Sequence, residues 1–393
     1  MPWKEANRMS LRHDFVLRAL EPDINFADLC RQFNISRRTG YKWVQRFKEG
    51  GAAALDDRTT GPSLQHPIRA SADATIEILR VRKAHPTWGA RKIKAVLERQ
   101  MPGHGIPSVS TIDRVLRRAG CIKPRSKKRR KTSPGKKPTV VPARNNQLWT
   151  IDFKGWWRTG AGRRVEPLTV RDAHSRFVLA VRVLPSTSTE SVQPVFVELF
   201  ERFGMPEAIL SDNGAPFASR GQSGLTRLSA WWLALGIQLI RSRPGCPQDN
   251  GGHERMHRDI KAELQNHPSW TLPEQQAACD LWRKEFNHYR PHAALGQVPP
   301  ADVYRRSPRV YPGAAPQPVY PAGFETRRVQ KPGTIRYAGY QRHVSAALAG
   351  WDVGIEPRDG AAFRVWFAGI CIGLGHLPWE APLRPPGADV PIL

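Results

Sequence analysis

Cysteine is scarce in this sequence. The five cysteines lie far apart among 393 residues and form no C-x-x-C pair. This spacing predicts reduced, mostly buried thiols and excludes a disulfide framework or a zinc site built from cysteine pairs. The cysteines are Cys30, Cys121, Cys246, Cys279 and Cys371.

Long apolar runs are lacking as well. The longest candidate, Val365 to Leu374, is shorter than the roughly 18 residues that a membrane span needs. Charged residues such as Lys4, Glu5 and Arg8 interrupt the first stretch, which argues against a secretory signal peptide. The sequence therefore predicts a cytoplasmic protein without a membrane partner.

Acidic residues are few compared with basic ones. The chain has 34 Asp and Glu against 61 Lys and Arg, a formal net charge of +27 and a pI of about 10.7. Such an excess predicts a polyanionic partner, DNA or RNA more readily than an acidic membrane. Hydrophobic residues make up 40% of the chain, enough for folded cores, and the length predicts at least two domains. A ribosomal-type or merely soluble basic protein is the alternative at this point.

Residues 1–60 have the pattern of a helix-turn-helix DNA-binding domain. Apolar residues recur at helical spacing from Phe26 to Phe33, Asn34 breaks the pattern, and Ser36 is a good N-cap for a second helix through Phe47. The start of such a second helix enters the major groove in proteins of this type. An ordinary helical hairpin with a solvated charged face is the alternative. The predicted DNA contacts are Arg37, Arg38 and Lys42.

A second helical DNA-binding domain is predicted over residues 71–122, after a linker at 61–70. We expect one helix over Ala74 to Lys83, a turn over 85–91, and another helix that Ser108 begins and that presents Arg114 and Arg117 to DNA. A basic linker follows over residues 123–144, and it is predicted to serve as a spacer, as a phosphate-binding tether, or as both. Its predicted phosphate contacts are Lys127, Lys128, Arg129 and Arg130.

The fold class predicted for the remaining chain is mixed. Residues 145–305 alternate strand-like and helical patterns, which predicts an α/β core with a mixed sheet covered on both faces. Short strand-like segments over 325–375 predict a small β-barrel. Residues 376–393 read as a proline-rich, disordered tail from Pro378 onward.

Three acidic residues stand in distinctive settings within the predicted α/β core. Asp152 interrupts an apolar strand-like run, and Asp212 follows another such run in Ser211-Asp-Asn-Gly214. A carboxylate in an apolar strand is costly unless it is paired or binds a metal. Glu254 begins a helix on which Arg258 and Lys261 share its face, so these cations suit DNA phosphates, although surface salt bridges are the alternative. Three carboxylates brought together could hold two divalent ions and drive attack on a phosphodiester.

Four motifs in this order resemble the retroviral-integrase-type catalytic core of bacterial insertion-sequence transposases, the DDE superfamily. They are Trp149-Thr-Ile-Asp152, Ser211-Asp-Asn-Gly214, Gln248-Asp-Asn-Gly251 followed by His253-Glu254-Arg255, and Phe286 to Leu295. The resemblance implies an RNase H-like fold and assigns catalysis and the binding of Mg²⁺ or Mn²⁺, expected as two ions, to Asp152, Asp212 and Glu254. The interval from Asp212 to Glu254 is longer than the integrase pattern implies, which fits a loop insertion over 218–224.

The function that these features predict is transposition. The chain is expected to bind the terminal repeats of a mobile element and to cleave and join DNA with metal ions, as a homo-oligomer on element ends and target DNA and in association with the bacterial nucleoid. A metal-dependent nuclease without strand transfer and a transposase-derived DNA-binding regulator are the alternatives. In the last motif, Asn287, Arg290 and His292 are candidates for the DNA-facing surface.

Overall fold

The protein is described by a computed structural model that covers residues 8–56, 70–122, 140–219, 221, 223–243 and 246–385. The chain divides into two compact units, residues 1–70 and residues 71–393. The predicted linker at 61–70 lies, but for its last residue, outside the described residues. The same holds for positions 123–139 of the basic linker and for its four predicted phosphate contacts.

The first unit is helical, as its sequence predicts. Ser36 is the N-cap of the third helix and its hydroxyl accepts a hydrogen bond from the backbone N–H of Thr39 at 3.2 Å. Asn34 adopts a left-handed conformation with φ of 52°, which ends the preceding helix and turns the chain. The helices are α1 (Arg8–Ala19), α2 (Phe26–Gln32) and α3 (Arg37–Gly50), followed by a 3₁₀ turn at Ala52–Leu55.

A close approach between helices fixes the position of α3. A Cβ atom at Gly40 would lie 2.8 Å from the Cys30 sulfur and 2.9 Å from the Phe15 ring, so only glycine fits there. Phe15, Cys30 and Leu55 belong to the small apolar core of this unit. The packing buries the Gly40 side of α3 and leaves its basic side exposed.

The second unit begins with three helices around Trp88, which is 1% exposed. Ser108 is the N-cap of the third of them, as predicted, and its hydroxyl accepts from Thr111 N. The middle helix was not predicted, because the segment beginning at His85 was interpreted only as a turn. The three helices are α4 (Ala72–Ala84), α5 (Ala90–Gln100) and α6 (Val109–Arg118).

A five-stranded mixed sheet forms the centre of the second unit. Its order is β5-β4-β1-β6-β7, with β1 antiparallel to β4, β4 antiparallel to β5, and β1, β6 and β7 parallel. Two short strands form a separate hairpin. The strands are β1 (Leu148–Phe153), β2 (Trp157–Arg158), β3 (Arg164–Val165), β4 (Pro167–Asp172), β5 (Val178–Val183), β6 (Ala208–Ser211) and β7 (Gln238–Arg241).

Helices cover both faces of this sheet, as the sequence predicts. One face packs on α7 (Thr189–Phe203) and α8 (Arg227–Ala234), around residues such as Phe200 and Trp232. The other packs on α9 (Gly251–Ile260), which continues as a π-helical turn at Lys261–Gln265, and on α10 (Leu272–His288). A short helix, α11 (Pro300–Val303), follows. This order of strands and helices is the RNase H-like arrangement that the integrase resemblance implies.

The C-terminal strands do not form the predicted small β-barrel. The described strands form a four-stranded sheet, β13-β12-β11-β8, and a two-stranded ribbon, β10-β9, so no closed barrel is found in the described chain. The physical reason is that the apolar face is covered by other elements, Leu225 and the α8 residues Ala230 and Leu233 among them. The strands are β8 (Glu325–Arg328), β9 (Thr334–Tyr337), β10 (Tyr340–His343), β11 (Asp352–Pro357), β12 (Ala362–Phe367) and β13 (Ile370–His376).

The beginning of the predicted disordered tail is ordered. Trp379 is 1% exposed and Leu383 is 3% exposed, and both lie in the apolar core of the C-terminal sheet. Arg384 forms an isolated bridge with Leu374 of β13. Proline content alone was therefore misleading, because one buried aromatic side chain holds this segment on the sheet.

Candidate active site

Asp152 lies at the centre of the mixed sheet, near the end of β1. It pairs with Thr169 of β4, while β6 runs parallel to β1 on the other side and ends just before Asp212. Burial first, and then the negative charges of Asp212 and Glu254, together raise the pKa of Asp152 to about 7. Asp212 and Glu254 therefore lie close enough to Asp152 for their charges to act on it.

Asp212 follows β6 in a fixed turn. Its Oδ1 accepts a hydrogen bond from Gly214 N at 3.1 Å, and the Asn213 side-chain amide donates to the carbonyl of Ser242 at 2.9 Å. An aspartate that bonds its own backbone two residues on forms a compact turn. The turn leaves the Asp212 side chain exposed at the end of the strand, as the sequence predicts.

Glu254 lies in the first turn of α9 and is exposed. The neighbouring residue His253 is completely buried, and its Nδ1 lies 2.8 Å from the Thr150 hydroxyl and 3.0 Å from Asn250 Oδ1. Burial lowers the pKa of His253 well below its usual range, so this side chain is neutral. The contact between His253 and Thr150 holds the start of α9 against β1 and thereby places Glu254 beside the sheet.

A second histidine one turn later holds the same helix against the site. His257 Nε2 lies 2.9 Å from the Thr169 hydroxyl, which donates to the backbone carbonyl of Asp152 at 2.8 Å. Burial, with Lys154 and Arg171 nearby, lowers the pKa of His257 to about 3. Its 3.8 Å approach to the Asp152 carboxylate is therefore a contact of a neutral ring and not an ion pair.

The donor set suits a hard divalent cation, because carboxylate oxygens are what Mg²⁺ and Mn²⁺ prefer. The raised pKa of Asp152 fits this reading, since a half-buried carboxylate with two other carboxylates near it favours a cation beside it. Within the described residues, however, no group of three or more His, Cys, Asp or Glu side chains is close enough to hold a metal ion. Asp212 and Glu254 are both exposed and lie on separate elements.

The predicted DNA contacts outside the basic linker are all exposed. Arg37, Arg38 and Lys42 lie at the start of α3 in the first unit, and Arg114 and Arg117 lie on α6. Arg117 pairs with Asp113 of its own helix at 2.7 Å. Arg258 and Lys261 are exposed in and just after α9, the helix that carries Glu254.

Among the described helices, none is long and apolar enough to cross a membrane.

Two residues of the last motif do not face DNA, contrary to the hypothesis drawn from the sequence. Asn287 is 1% exposed and its amide bonds the backbone N–H and carbonyl of Val178. Arg290 is also 1% exposed and pairs with Asp259 at 2.9 Å and with Glu263. Both therefore hold the core together.

Thr169 and Arg171 contribute to the site and were missed by sequence reasoning. Both lie on β4, two residues apart, and the register that places Thr169 opposite Asp152 is a long-range property. No local pattern in the sequence could have shown that Thr169 pairs with Asp152 and Arg171 with Thr150.

Four models of known protein families match parts of this chain. Two models of the integrase core domain match residues 142–247 and 235–300. A helix-turn-helix domain model matches residues 12–63, and a homeodomain-like domain model matches residues 39–116. The integrase matches contain all three acids. The helix-turn-helix match contains the exposed basic residues at the start of α3, and the homeodomain-like match contains Arg114 of α6 but ends one residue before Arg117.

Several curated relatives come from bacterial insertion elements. A 31.7 kDa protein of insertion element IS407 of Burkholderia multivorans is 29% identical over 55% of this chain and 74% of its own length. A 39.2 kDa protein of IS476 of Xanthomonas euvesicatoria is 26% identical over 60% of this chain and 65% of its own length. The transposase InsD of IS2 of Escherichia coli is 26% identical over 69% of this chain and 93% of its own length.

The integrase core models and these relatives place the chain in the DDE class of polynucleotidyl transferases. Within that class, the helix-turn-helix domains and the insertion-element relatives identify it as a bacterial insertion-sequence transposase.

Proposed function

We propose that this transposase binds the terminal repeats of its element and joins the cleaved ends to target DNA, with Asp152, Asp212 and Glu254 as its catalytic carboxylates. The observation that supports these roles is the position of Asp152, which is partly buried at the sheet centre and repelled by the other two acids. Such a carboxylate is costly to keep charged unless a cation compensates it.

The three carboxylates would hold Mg²⁺ or Mn²⁺, and we infer two ions. When bound, such ions activate the attacking oxygen and stabilise the charge that develops on the phosphate and the leaving oxygen. Asp152 and Asp212 would provide ligands from adjacent parallel strands, and Glu254 would complete the set from α9. Because Asp212 and Glu254 are exposed, we infer that their side chains would have room to turn toward Asp152 when a divalent ion is held there.

The chain's own basic residues would position the substrate. Lys154 follows directly after β1, two residues beyond Asp152, and its Nζ lies 3.3 Å from the Gln265 side-chain oxygen. Lys261 lies close enough to lower the pKa of Lys154, after the larger effect of burial. These cations, with Arg258, would hold DNA phosphates beside the three acids. Terminal repeats would be read by α3 and α6, and two ends would be joined by a homo-oligomer assembled on DNA.

The test is strand transfer by the full-length protein on DNA that carries the sequences flanking its coding region. Asp152→Asn keeps the shape of the side chain and removes its charge, so we expect cleavage and joining to disappear with Mg²⁺ or Mn²⁺ while DNA binding stays intact. Asp359→Asn, at an exposed position in the turn between β11 and β12, is the matched control. Near-normal joining by Asp152→Asn would show that the catalytic assignment is wrong.

A further inference from the structure

A second cationic site lies behind α9. A cavity of about 230 Å³ is enclosed by α5, the turn from β4 to β5, α9 and the segment after α10. Four basic side chains line it, and the acid among them is Asp259, which pairs with the buried Arg290 at 2.9 Å. The four are Lys92, Arg171, Arg176 and Arg255. The cavity therefore holds positive charge that its own lining does not neutralise.

Buried nitrogen atoms in this cavity have no hydrogen-bond partner. Arg171 is 5% exposed, and its Nε is buried without a partner in the described chain. The same is true of Arg176 Nε and of the His292 ring nitrogen Nε2, whose side chains line the same cavity. Buried polar atoms are almost always hydrogen-bonded in folded proteins, so two guanidinium donors and one ring nitrogen without partners around one cavity favour a ligand site there.

None of the three acids lines this cavity. Gly252, Arg255, Met256 and Asp259 line the cavity at helical spacing, so they share one side of α9. A Cβ atom at Gly252 would lie 2.5 Å from the guanidinium of Arg171, so the helix can approach only because this residue is glycine. The cavity is built into the packing of α9 and is not a surface depression.

A larger groove of about 740 Å³ gives access to the cavity, since both are lined by Lys92, Arg255, Asp259 and Ala293. The N-terminus of α5 lines this groove, and no side chain caps it. An uncapped helix N-terminus presents backbone N–H groups and partial positive charge to an anion. The groove thus leads an anionic chain past α5 to the four cations.

We propose that this cavity binds a phosphate group, and that the phosphate belongs to the DNA backbone lying between the second helical domain and the catalytic core. Guanidinium groups match phosphate in geometry, and charge-assisted hydrogen bonds are the strong ones. The source of the phosphate rests on the proposed function, whereas the anion site itself does not. A free phosphate ion has the same chemistry and is the alternative source.

The experiment is calorimetric titration of the full-length protein with inorganic phosphate at constant ionic strength. Arg255→Gln and Arg176→Gln should each weaken phosphate binding about tenfold, as expected for the loss of one charge-assisted hydrogen bond. Arg202→Gln removes the same charge from an exposed position on α7 and should leave the affinity unchanged. Arg255 is exposed, so its replacement does not endanger the fold, and thermal unfolding of each variant verifies this.

A second titration with duplex DNA already bound distinguishes the two sources. Loss of phosphate binding in the presence of DNA supports a backbone phosphate, and undiminished binding identifies a free anion as the ligand. Equal affinity of all three variants and the wild type would overturn the site. The titration requires no metal and no joining, so a protein that binds phosphate in this way but transfers no strand would contradict only the proposed function.

Discussion

At the scale of single residues, the site depends on one hydroxyl group. Thr169 is fully buried, donates to the carbonyl of Asp152 and lies 2.9 Å from His257 Nε2. It thereby connects the strand that carries the first acid to the helix that carries the third. Its role is positioning, because it does not contact the reacting atoms itself.

Thr169→Val should slow strand transfer more than it weakens DNA binding. Valine has the same shape but leaves two buried polar groups unsatisfied, at a cost of about 1–3 kcal/mol each. Strand-transfer rate and DNA affinity, measured side by side, test this expectation. The matched control is Thr159→Val, since Thr159 is equally buried, accepts from Arg163 N and lies in the β2–β3 hairpin. Equal losses of strand-transfer rate in both variants would mean that the substitutions act only by lowering the stability of the protein.

A pair of adjacent glycines provides a second test at this scale. Gly252→Ala should destabilise the protein by about 1–3 kcal/mol, because the new methyl group meets the Arg171 guanidinium. Gly251→Ala meets no atom within 4 Å and should be neutral or slightly stabilising, since alanine favours a helix. Chemical denaturation of both variants measures the difference. Identical midpoints would show that α9 does not pack as closely as described.

At the scale of elements, α10 protects an otherwise open sheet edge. Strand β5 is at the end of the sheet, and side-chain amides of α10 bond its free backbone groups. Asn287 bonds Val178 N and O, and Gln276 bonds Val183 N and Val181 O, at 2.8–3.1 Å. Unpaired edges invite association with other strands, so these amides take the place of a sixth strand.

Asn287→Ala should lower the free energy of unfolding by about 2 kcal/mol or more, because it leaves a buried donor and a buried acceptor without partners. The exposed Asn266 supplies the control, as Asn266→Ala should change stability little. Urea unfolding followed by circular dichroism measures both values. A change below about 0.5 kcal/mol in Asn287→Ala, the usual range of surface substitutions, would contradict this role.

The sequence predicted elements better than their pairing. Local signals such as Ser36 and Ser108 located helix starts correctly, because capping is a short-range interaction. Helix α5 was missed although its apolar residues recur at helical spacing. The hypothesis that Asn287 faces DNA failed because its partner, Val178, is distant in sequence. The prediction of a β-barrel was wrong for the same reason, since barrel closure depends on which residues, distant in sequence, cover each face of the sheet.

At the scale of the whole molecule, the two units have separate apolar cores, while the catalytic core and the C-terminal sheet share one. One apolar cluster contains both Leu233 of α8 and residues of the C-terminal sheet, namely Val353, Phe363 and Phe367. Helix α8 in turn packs on the mixed sheet through Trp231 and Trp232. The C-terminal sheet therefore supports the catalytic core directly.

Two fragments should differ accordingly. Residues 71–393 should unfold at the same temperature as the catalytic core does in the full chain, because they lose no part of their own apolar core. Residues 1–324 should unfold at a lower temperature and aggregate, because the covered side of α8 becomes exposed to water. Differential scanning calorimetry measures both. A stable, monomeric fragment 1–324 would show that the two sheets are independent.

The shared core also sets an order of events during synthesis. Domains fold as units from the N-terminus while the ribosome adds about 5–20 residues per second. The first helical unit can therefore fold while the rest of the chain is still being made. The apolar cluster that contains Leu225 and Leu233 is complete only after Leu383 has left the ribosome, since all three belong to it. The nascent protein thus has a finished DNA reader well before it has a finished catalytic core.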